Sequence, residues 1–263
     1  MTLIFKKVVQ AWFDKNDYFG IEIATEPSEI CSLELFFMNY LAHAYLSGGL
    51  EGVMIGNFIG DSVKGKQYLN YPPQVQEGIL IHRQIDSFTD RHPLVKQCSR
   101  RFRTPYGRYA GIVTDVVFDH FLAKYWESWS VNPFSEFVKH VHSVLLSSFA
   151  QLPFEVKGFL PFFIAHRRLE SYAGVDGIRE TLYAMGRRTS MPERSEMAVQ
   201  ILQDEFFLIK AEFDEFFPEL IDFVEQRFRI EIKMNENRKI QEAVKPGTCS
   251  PDPEPCIASS QLP

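Results

Sequence analysis

From Met38 onward, apolar residues recur every three or four positions, a spacing typical of helices that bury one face. Glycine pairs, proline pairs and short polar stretches interrupt this pattern, and each interruption predicts the end of one helix and the start of another. The predicted helices span residues 40–46, 50–64, 74–90, 93–103, 108–129, 133–149, 160–172, 175–185, 195–217 and 218–233. No stretch alternates convincingly between apolar and polar residues, as a half-buried strand does. We therefore predict an all-α fold, a single-domain helical bundle.

The chain divides into three parts. Residues 1–37 mix apolar, charged and turn-forming residues without a sustained period, and they form an N-terminal extension if the native start is Met38. Residues 38–233 carry the helical pattern and form the predicted domain. Residues 234–263 are rich in Lys, Glu, Pro, Ser and Gly, a composition typical of a disordered C-terminal tail.

Composition excludes several classes of protein. With 263 residues and 45% hydrophobic residues, the chain can bury a substantial core, and 14% aromatic residues predict that this core is rich in rings. A net charge of −6 argues against binding nucleic acid through overall charge. No apolar run reaches the roughly 20 residues that span a bilayer. The four scattered cysteines support neither a disulfide framework nor a zinc site. We expect a cytoplasmic protein, and the oligomeric state stays open.

The first candidate site is the pair His82 and Asp86, followed by Asp90. Residues four apart lie one turn apart on the same face of a helix, so the two side chains can reach a common point. Imidazole and carboxylate together suit manganese, iron or zinc better than calcium. The alternative is an ordinary His–Asp pair on a helix surface.

A second candidate follows in the predicted helix 108–129, where Asp115, Asp119 and His120 stand among apolar residues. A helix that is apolar on most faces is buried, and buried carboxylates are costly unless they are paired or bind a metal. The alternative is a salt bridge in the core to one of the arginines. Two acids and a histidine within so short a stretch favour a functional site.

Three further residues have weaker individual signals. Asn57 and Asp61 are also four apart, but they stand beside glycines, where such residues often mark caps and turns. His43 is a lone histidine among apolar residues, and taken by itself it is more typical of a satisfied histidine in the core.

Between the two candidate helices, the stretch from Pro93 to Gly111 contains basic residues and no acid. A solvated helix surface explains most such runs, but the position of this run favours binding of a phosphate or an acidic partner. Arg83, beside His82, could hold a phosphate oxygen. The basic residues are Lys96, Arg100, Arg101, Arg103 and Arg108.

Four motifs occur in this order: MNYLAHAYLS from Met38, GNFIGDSVKG from Gly56, HRQIDSFTD from His82 and DVVFDHFL from Asp115. Together they resemble the acyl carrier protein phosphodiesterase family, over a region from Met38 to about Phe228. The resemblance implies a helical fold related to the HD-type phosphohydrolases. It implies an enzyme that uses a divalent cation, typically manganese with magnesium or iron as alternatives, to remove 4′-phosphopantetheine from holo-acyl carrier protein.

The motif residues are assigned roles on this basis. We assign His82, Asp86, Asp119 and His120 as metal ligands. We expect Arg83 to hold the phosphate oxygens. His43, Asp61 and Asp115 would be additional ligands, groups that orient the ligands, or the general acid–base group in catalysis, while Asn57 and Asp90 support the ligands.

Carrier proteins are acidic around the modified serine, as the resemblance implies, so the five basic residues are the expected docking face. Arg167, Arg168, Arg187 and Arg188 are additional candidates for this face. Two other functions stay open. One is hydrolysis of a small nucleotide or another phosphoester at the same metal site. The other is a non-catalytic protein that binds an acidic partner, with its buried acids in ion pairs.

Overall fold

The computed structural model describes residues 40–235. The predicted N-terminal extension and nearly all of the predicted tail lie outside the described residues. The α-helices in chain order are α1 (Tyr40–Tyr45), α2 (Glu51–Ile59), α3 (Pro73–Arg91), α4 (Pro93–Tyr106), α5 (Ala110–Lys124), α6 (Trp126–Trp129), α7 (Phe134–Ser147), α8 (Phe154–Ala165), α9 (Arg168–Ser171), α10 (Val175–Arg188), α11 (Ser195–Asp204) and α12 (Phe206–Phe228). Short 3-10 turns lie at Gly60–Ser62, Gln67–Asn70, Gly107–Tyr109 and Phe149–Gln151.

Residues 40–235 contain no strand, and one isolated bridge joins Ser130 to Met234. The prediction of an all-α, single-domain protein is confirmed. None of the helices in this part of the chain is long and apolar enough to cross a bilayer.

Helices α2 and α3 cross closely because glycines face each other at the crossing. A Cβ atom on Gly56 would lie 2.1 Å from a backbone oxygen of α3, and one on Gly78 would lie 2.2 Å from a backbone oxygen of α2. Only glycine permits this approach. The crossing brings Asn57, next to Gly56, within hydrogen-bonding distance of His82, four residues after Gly78.

The core is rich in aromatic side chains, and α5 runs through it. The buried residues of α5 include Val113, Val116, Val117, Phe121 and Leu122, so the expected burial of this helix is confirmed. Trp129, just beyond α5, packs edge-on against Phe217 of α12, with ring centroids 4.9 Å apart.

The end of the chain's helical pattern differs from the prediction. A helix break was expected at Pro218, but α12 continues through it and the chain breaks instead at Glu205. Phe217, Pro218 and Leu220 are all buried, so the apolar face of α12 packs without interruption. This packing outweighs the backbone hydrogen bond that proline cannot make.

Two other predicted helices are divided. The stretch 108–129 is split at Tyr125 into α5 and α6, and the turn there buries both Trp126 and Trp129. The stretch 160–172 belongs to α8, which already begins at Phe154, and to α9. These two helices are separated by Arg167, whose φ of 49° is in the left-handed region.

After α12 the chain returns to the domain in an extended form. Met234 is buried and bridges to Ser130, and the N–H of Asn235 donates to the carbonyl oxygen of Trp129 at 3.2 Å. From composition we predicted that Met234 and Asn235 begin the C-terminal tail. In the structure both residues pack against the helical domain.

Candidate metal centre

Side chains from α1 and α3 converge at one point. His43 lies on α1, while His82 and Asp86 lie one turn apart on α3. The Nε2 atoms of His43 and His82 lie 3.2 and 3.3 Å from the two carboxylate oxygens of Asp86. The two imidazole rings are stacked, with centroids 4.1 Å apart. The donor atoms of the three residues all lie within 4.8 Å of one another, so this group could hold a metal ion.

The Nε2 atoms of both histidines face carboxylates without a well-directed hydrogen bond. Nε2 of His43 and Nε2 of His82 are buried, and their polar neighbours are oxygens of Asp86 and Asp61 at 3.2–3.3 Å. A cation between these nitrogens and oxygens would satisfy the lone pairs of both. The side chain of Asp86 is 31% exposed, so the group is open to solvent on the carboxylate side. The donors therefore fit a divalent cation that substrate can reach.

Asn57 orients both rings from behind. Its side-chain oxygen lies 3.0 Å from Nδ1 of His43, and its backbone oxygen lies 2.8 Å from Nδ1 of His82. These oxygens can only accept, so they favour the tautomer with a proton on Nδ1 and leave each Nε2 lone pair free for a metal.

Ser47, which the residue pattern did not single out, completes this support. The amide nitrogen of Asn57 donates to the backbone oxygen of His43 at 2.9 Å and to Oγ of Ser47 at 3.1 Å. Oγ of Ser47 donates in turn to the backbone oxygen of His43. The only signal in the sequence is that Ser47 stands one helical turn after His43.

Asp61 approaches the group from a different element than expected. α2 ends at Ile59, and Asp61 lies in the 3-10 turn that follows. Its Oδ1 lies 3.3 Å from Nε2 of His82, and its side chain is 17% exposed. Asn57 and Asp61 thus contact different parts of the centre, although their spacing placed them on one helical face.

Gly60 provides the space for the ring of His82. A Cβ atom at this position would lie 2.3 Å from Cγ of His82. The ring therefore occupies the volume that any other side chain would fill. Sequence reasoning did not identify Gly60, because a glycine after a helix ordinarily marks a turn.

The charges in the group favour an added positive charge. Burial lowers the pKa of His82, but the neighbouring carboxylates of Asp61 and Asp86 outweigh burial and raise it. Burial likewise raises the pKa of Asp86, but His43 and His82 outweigh it and lower the pKa. Two carboxylates at this point therefore stabilise positive charge, which a divalent cation supplies.

Asp115 lies on the acidic side of the centre. Burial, together with the charges of Asp86 and Asp90, raises the pKa of Asp115 well above its ordinary value. Asp90 is exposed at the end of α3, and its pKa is also raised, by desolvation and by Asp86. Asp115 therefore binds a proton more tightly than an ordinary aspartate does.

Asp119 has a different environment. One carboxylate oxygen accepts a hydrogen bond from the N–H of Leu41 at 3.0 Å, and the other accepts from the N–H of Ala42 at 2.9 Å. Burial raises the pKa of Asp119 to about 7, although these two donors oppose the shift. The carboxyl group thus holds the first turn of α1, the helix that carries His43.

His120 is held by a backbone carbonyl group. Its Nδ1 lies 2.7 Å from the backbone oxygen of Tyr172, and burial lowers its pKa to about 4. Among the described residues, the group whose donor atoms all lie within 4.8 Å of one another consists of His43, His82 and Asp86.

Arg83 follows His82 and faces the 3-10 turns after α2. Its guanidinium donates to the backbone oxygen of Val63 at 2.7 Å and lies 5.5 Å from the ring centroid of Tyr68. Arg83 forms no ion pair within residues 40–235. Its remaining N–H groups can therefore bind an anion.

The predicted basic face is only partly a surface. Lys96, Arg100 and Arg103 are exposed on α4 at helical spacing. Lys96 lies close enough to Asp90 to lower the pKa of that carboxyl group in part. The exposed basic residues of α4 therefore begin at the acidic rim of the centre.

Arg101 and Arg108 are engaged within the protein. The guanidinium of Arg101 donates to Glu205 at 2.6 Å and to Glu212 at 2.8 Å, and the side chain of Glu212 is only 7% exposed. Arg101 thus fastens α4 to α12. Arg108 is exposed, and its guanidinium lies 4.8 Å from the ring centroid of Tyr109.

The additional candidates differ in their surroundings, and the side chain of Arg188 lies outside the described part of the structure. Arg167 pairs with Glu170, Arg168 pairs with Glu180, and Arg187 is exposed on α10.

Comparisons with known proteins agree on one family. Residues 38–220 match the family described as acyl carrier protein phosphodiesterase. A protein of that name from Yersinia pestis is 34% identical over 152 residues, covering 57% of this chain and 79% of the relative. One from Enterobacter sp. (strain 638) is 32% identical, covering 70% and 96%. One from Klebsiella pneumoniae is 30% identical, covering 72% and 99%. No solved structure matches the chain.

Proposed function

The chain belongs to the acyl carrier protein phosphodiesterase family, and from this we propose that it hydrolyses the phosphodiester bond between 4′-phosphopantetheine and the serine of a holo-acyl carrier protein. The products are the apo-carrier protein and 4′-phosphopantetheine, and the proposed compartment is the cytoplasm. The observation that carries the proposal is the convergence of His43, His82 and Asp86, which lies within the region matched to the family.

In this proposal a divalent cation is held by His43, His82 and Asp86. This set differs from the one assigned from the motifs. It includes His43, whose donor atom lies within 4.8 Å of those of His82 and Asp86, and it leaves out His120 and Asp119, the latter with both carboxylate oxygens accepting backbone hydrogen bonds. Mixed imidazole and carboxylate donors suit manganese, with iron or magnesium as alternatives. When bound, the cation would neutralise phosphoryl charge and lower the pKa of a water molecule.

The side chains around the metal bind the phosphate and transfer the protons. Arg83, which has no acidic partner among the described residues, binds the non-bridging phosphoryl oxygens through its free N–H groups. Asp61, beside His82, accepts a proton from the attacking water. Asp115, whose raised pKa favours the protonated form, donates a proton to the serine oxygen that leaves. The water oxygen thus joins phosphorus as the bond to serine breaks.

The exposed residues Lys96, Arg100 and Arg103 form the proposed docking face for the acidic carrier protein. Arg101 is left out, because Glu205 and Glu212 already neutralise it. Contacts of this kind act mainly on the association rate and weaken as salt rises. We expect the double substitution Arg100→Glu and Arg103→Glu to lower kcat/KM for the carrier protein roughly tenfold and to flatten its salt dependence.

The double variant Lys139→Glu, Lys233→Glu, two exposed charge reversals outside α4, is the control matched in net charge. If the control lowers kcat/KM as much as the double variant on α4, the loss reflects net charge and the docking face is refuted.

The decisive experiment is mass spectrometry of purified holo-acyl carrier protein after incubation with this protein, with manganese or with chelator. We expect the carrier protein to lose the mass of the phosphopantetheine arm only when metal is present. An intact carrier protein with manganese, magnesium and iron in turn would exclude the proposed substrate. Small phosphodiesters would then be the substrates to test at the same centre.

A further inference from the structure

A cleft that the metal centre does not use lies at the start of α3. Its volume is about 460 Å³, and it is lined by Gln67, Asn70, Tyr71, Pro72 and Gln151. Three of these residues carry side-chain amides, which both donate and accept hydrogen bonds.

These amides are available to a ligand. The side chains of Asn70 and Gln151 are exposed and make no hydrogen bond with any other residue in the range 40–235. Gln67 uses its amide oxygen to accept from the N–H of Lys64 at 3.2 Å, which leaves its NH2 group free. The cleft therefore offers donors and acceptors of the kind that recognise amide groups.

The cleft is joined to the metal centre through Arg83. Gln67 and Asn70 stand in the same 3-10 turn as Tyr68, whose ring lies under the guanidinium of Arg83. Pro73, which begins α3 beside the cleft, precedes His82 by nine residues. At about 1.5 Å of helical rise per residue, this separation is about 14 Å along α3.

The arm of the proposed substrate matches this separation. From phosphorus to sulfur, phosphopantetheine has roughly thirteen bonds, which extend to about 15 Å at the length per bond of an extended chain. The arm contains two amide groups, and near the phosphate it carries two methyl groups. A phosphate held beside His82 and Arg83 thus places the far part of the arm at the cleft.

We propose that this cleft binds the pantetheine part of the substrate, with Asn70 and Gln151 hydrogen-bonded to its amide groups. The proposal rests on the proposed function, which supplies the arm. It makes the cleft the feature that distinguishes a phosphopantetheine ester from a generic phosphodiester.

The test uses the double variant Asn70→Ala, Gln151→Ala of the full chain, with Gln203→Ala as a control at an exposed amide on α11. Hydrolysis of holo-acyl carrier protein and of bis-p-nitrophenyl phosphate is measured with manganese. Each lost hydrogen bond weakens binding about threefold, so we expect KM for the carrier protein to rise roughly tenfold with kcat preserved. Hydrolysis of the small diester should not change. An unchanged KM, or an equal loss on both substrates, would overturn the proposal.

A binding measurement separates the cleft from the reaction. Calorimetry compares free 4′-phosphopantetheine with inorganic phosphate on the manganese-loaded protein. The wild type should bind phosphopantetheine more tightly, and the double variant should lose that preference. Equal affinities of the wild type for the two ligands would refute the cleft. If instead the preference is found but the carrier protein stays intact, the proposed function fails while the cleft stands.

Discussion

Asp119→Ala removes the oxygens that accept hydrogen bonds from the N–H groups of Leu41 and Ala42. Both donors belong to the first turn of α1, where no preceding helical carbonyl can accept from them. A helix of only six residues does not hold its shape without such contacts. The substitution should therefore disturb both the stability of the domain and the position of His43.

The size of the effect follows from the two donors. A buried donor left without a partner costs about 1–3 kcal/mol, so two cost roughly 2–6 kcal/mol. Ala42 is only partly buried, and water can reach its N–H, so we expect a loss of about 3 kcal/mol in the free energy of unfolding. For a domain of this size, that corresponds to a Tm about 6–12 °C lower. Asp119→Asn keeps one acceptor and should lose about half as much.

The assay is thermal unfolding of the metal-free protein at pH 4, monitored by calorimetry. At this pH the carboxyl group of Asp119, with its folded pKa of about 7, is protonated in the folded state and close to half-protonated in the unfolded chain, so the cost of taking up a proton on folding is small. Folding raises this pKa from 3.8, so the folded state binds the proton more tightly and wild-type stability falls as the pH rises from 3.8 towards 7. The alanine variant should lose this part of the pH dependence.

Two measurements can refute this reasoning. Asp204→Ala, at an exposed position on α11, is the control and should leave Tm unchanged. If Asp119→Ala unfolds within 2 °C of the wild type and binds manganese equally well, Asp119 does not hold α1. If the role is correct, we expect manganese affinity to fall about 10- to 100-fold, as when groups that orient metal ligands are lost.

Three other substitutions have definite expected outcomes. Asp115→Asn should stabilise the metal-free protein at pH 8 but not at pH 3, as measured by urea unfolding at both pH values. At pH 8 Asp115 is ionised in the unfolded wild type, and its raised pKa in the folded state makes folding less favourable. At pH 3 the group is protonated in both states, so the substitution changes little. Gly60→Ala should keep the helical circular dichroism but weaken manganese binding at least tenfold, because the added Cβ displaces His82. Arg101→Ala should cost about 3 kcal/mol in urea unfolding, because the buried carboxylate of Glu212 then keeps only the amide of Gln97 as a partner.

Each of these has a matched comparison. Gly111→Ala adds a Cβ that meets nothing within 4 Å, so manganese binding should not change there, and equal losses at both glycines would contradict the role of Gly60. Arg100→Ala, on the exposed face of α4, should leave unfolding within about 0.5 kcal/mol of the wild type. If Arg101→Ala behaves likewise, the buried ion pair contributes nothing. An Asp115→Asn variant with the stability of the wild type at pH 8 would remove the basis for a protonated Asp115.

The sequence was most informative where partners are local. The pairing of His82 with Asp86 follows from their spacing on one helix, and the apolar surroundings of α5 predicted its burial. Asp119 could not be placed in the same way, because its partners are backbone N–H groups 77 and 78 residues away. Backbone groups occur at every position, so no residue type marks them.

Contacts between residues distant in the sequence also explain why two other predictions differ from the structure. In the sequence, Arg101 is one of a run of basic residues on α4. In the structure it pairs with Glu212 of α12, which neutralises its charge. Local rules predict a helix break at Pro218, but α12 continues through it because its apolar face is buried on both sides of the proline. Contacts between distant parts of the chain therefore account for most of what the pattern did not predict.

The bond between Asp119 and the first turn of α1 has a consequence for the order of events during synthesis. His43 leaves the ribosome early, yet the group that holds its helix follows 78 residues after Leu41. Because α1 is too short to persist alone, the nascent chain cannot assemble the metal centre until α5 has emerged and packed. In the proposed function, binding of the metal is therefore a late step in the synthesis of this protein, and a chain released before Asp119 would carry His82 and Asp86 without a fixed His43.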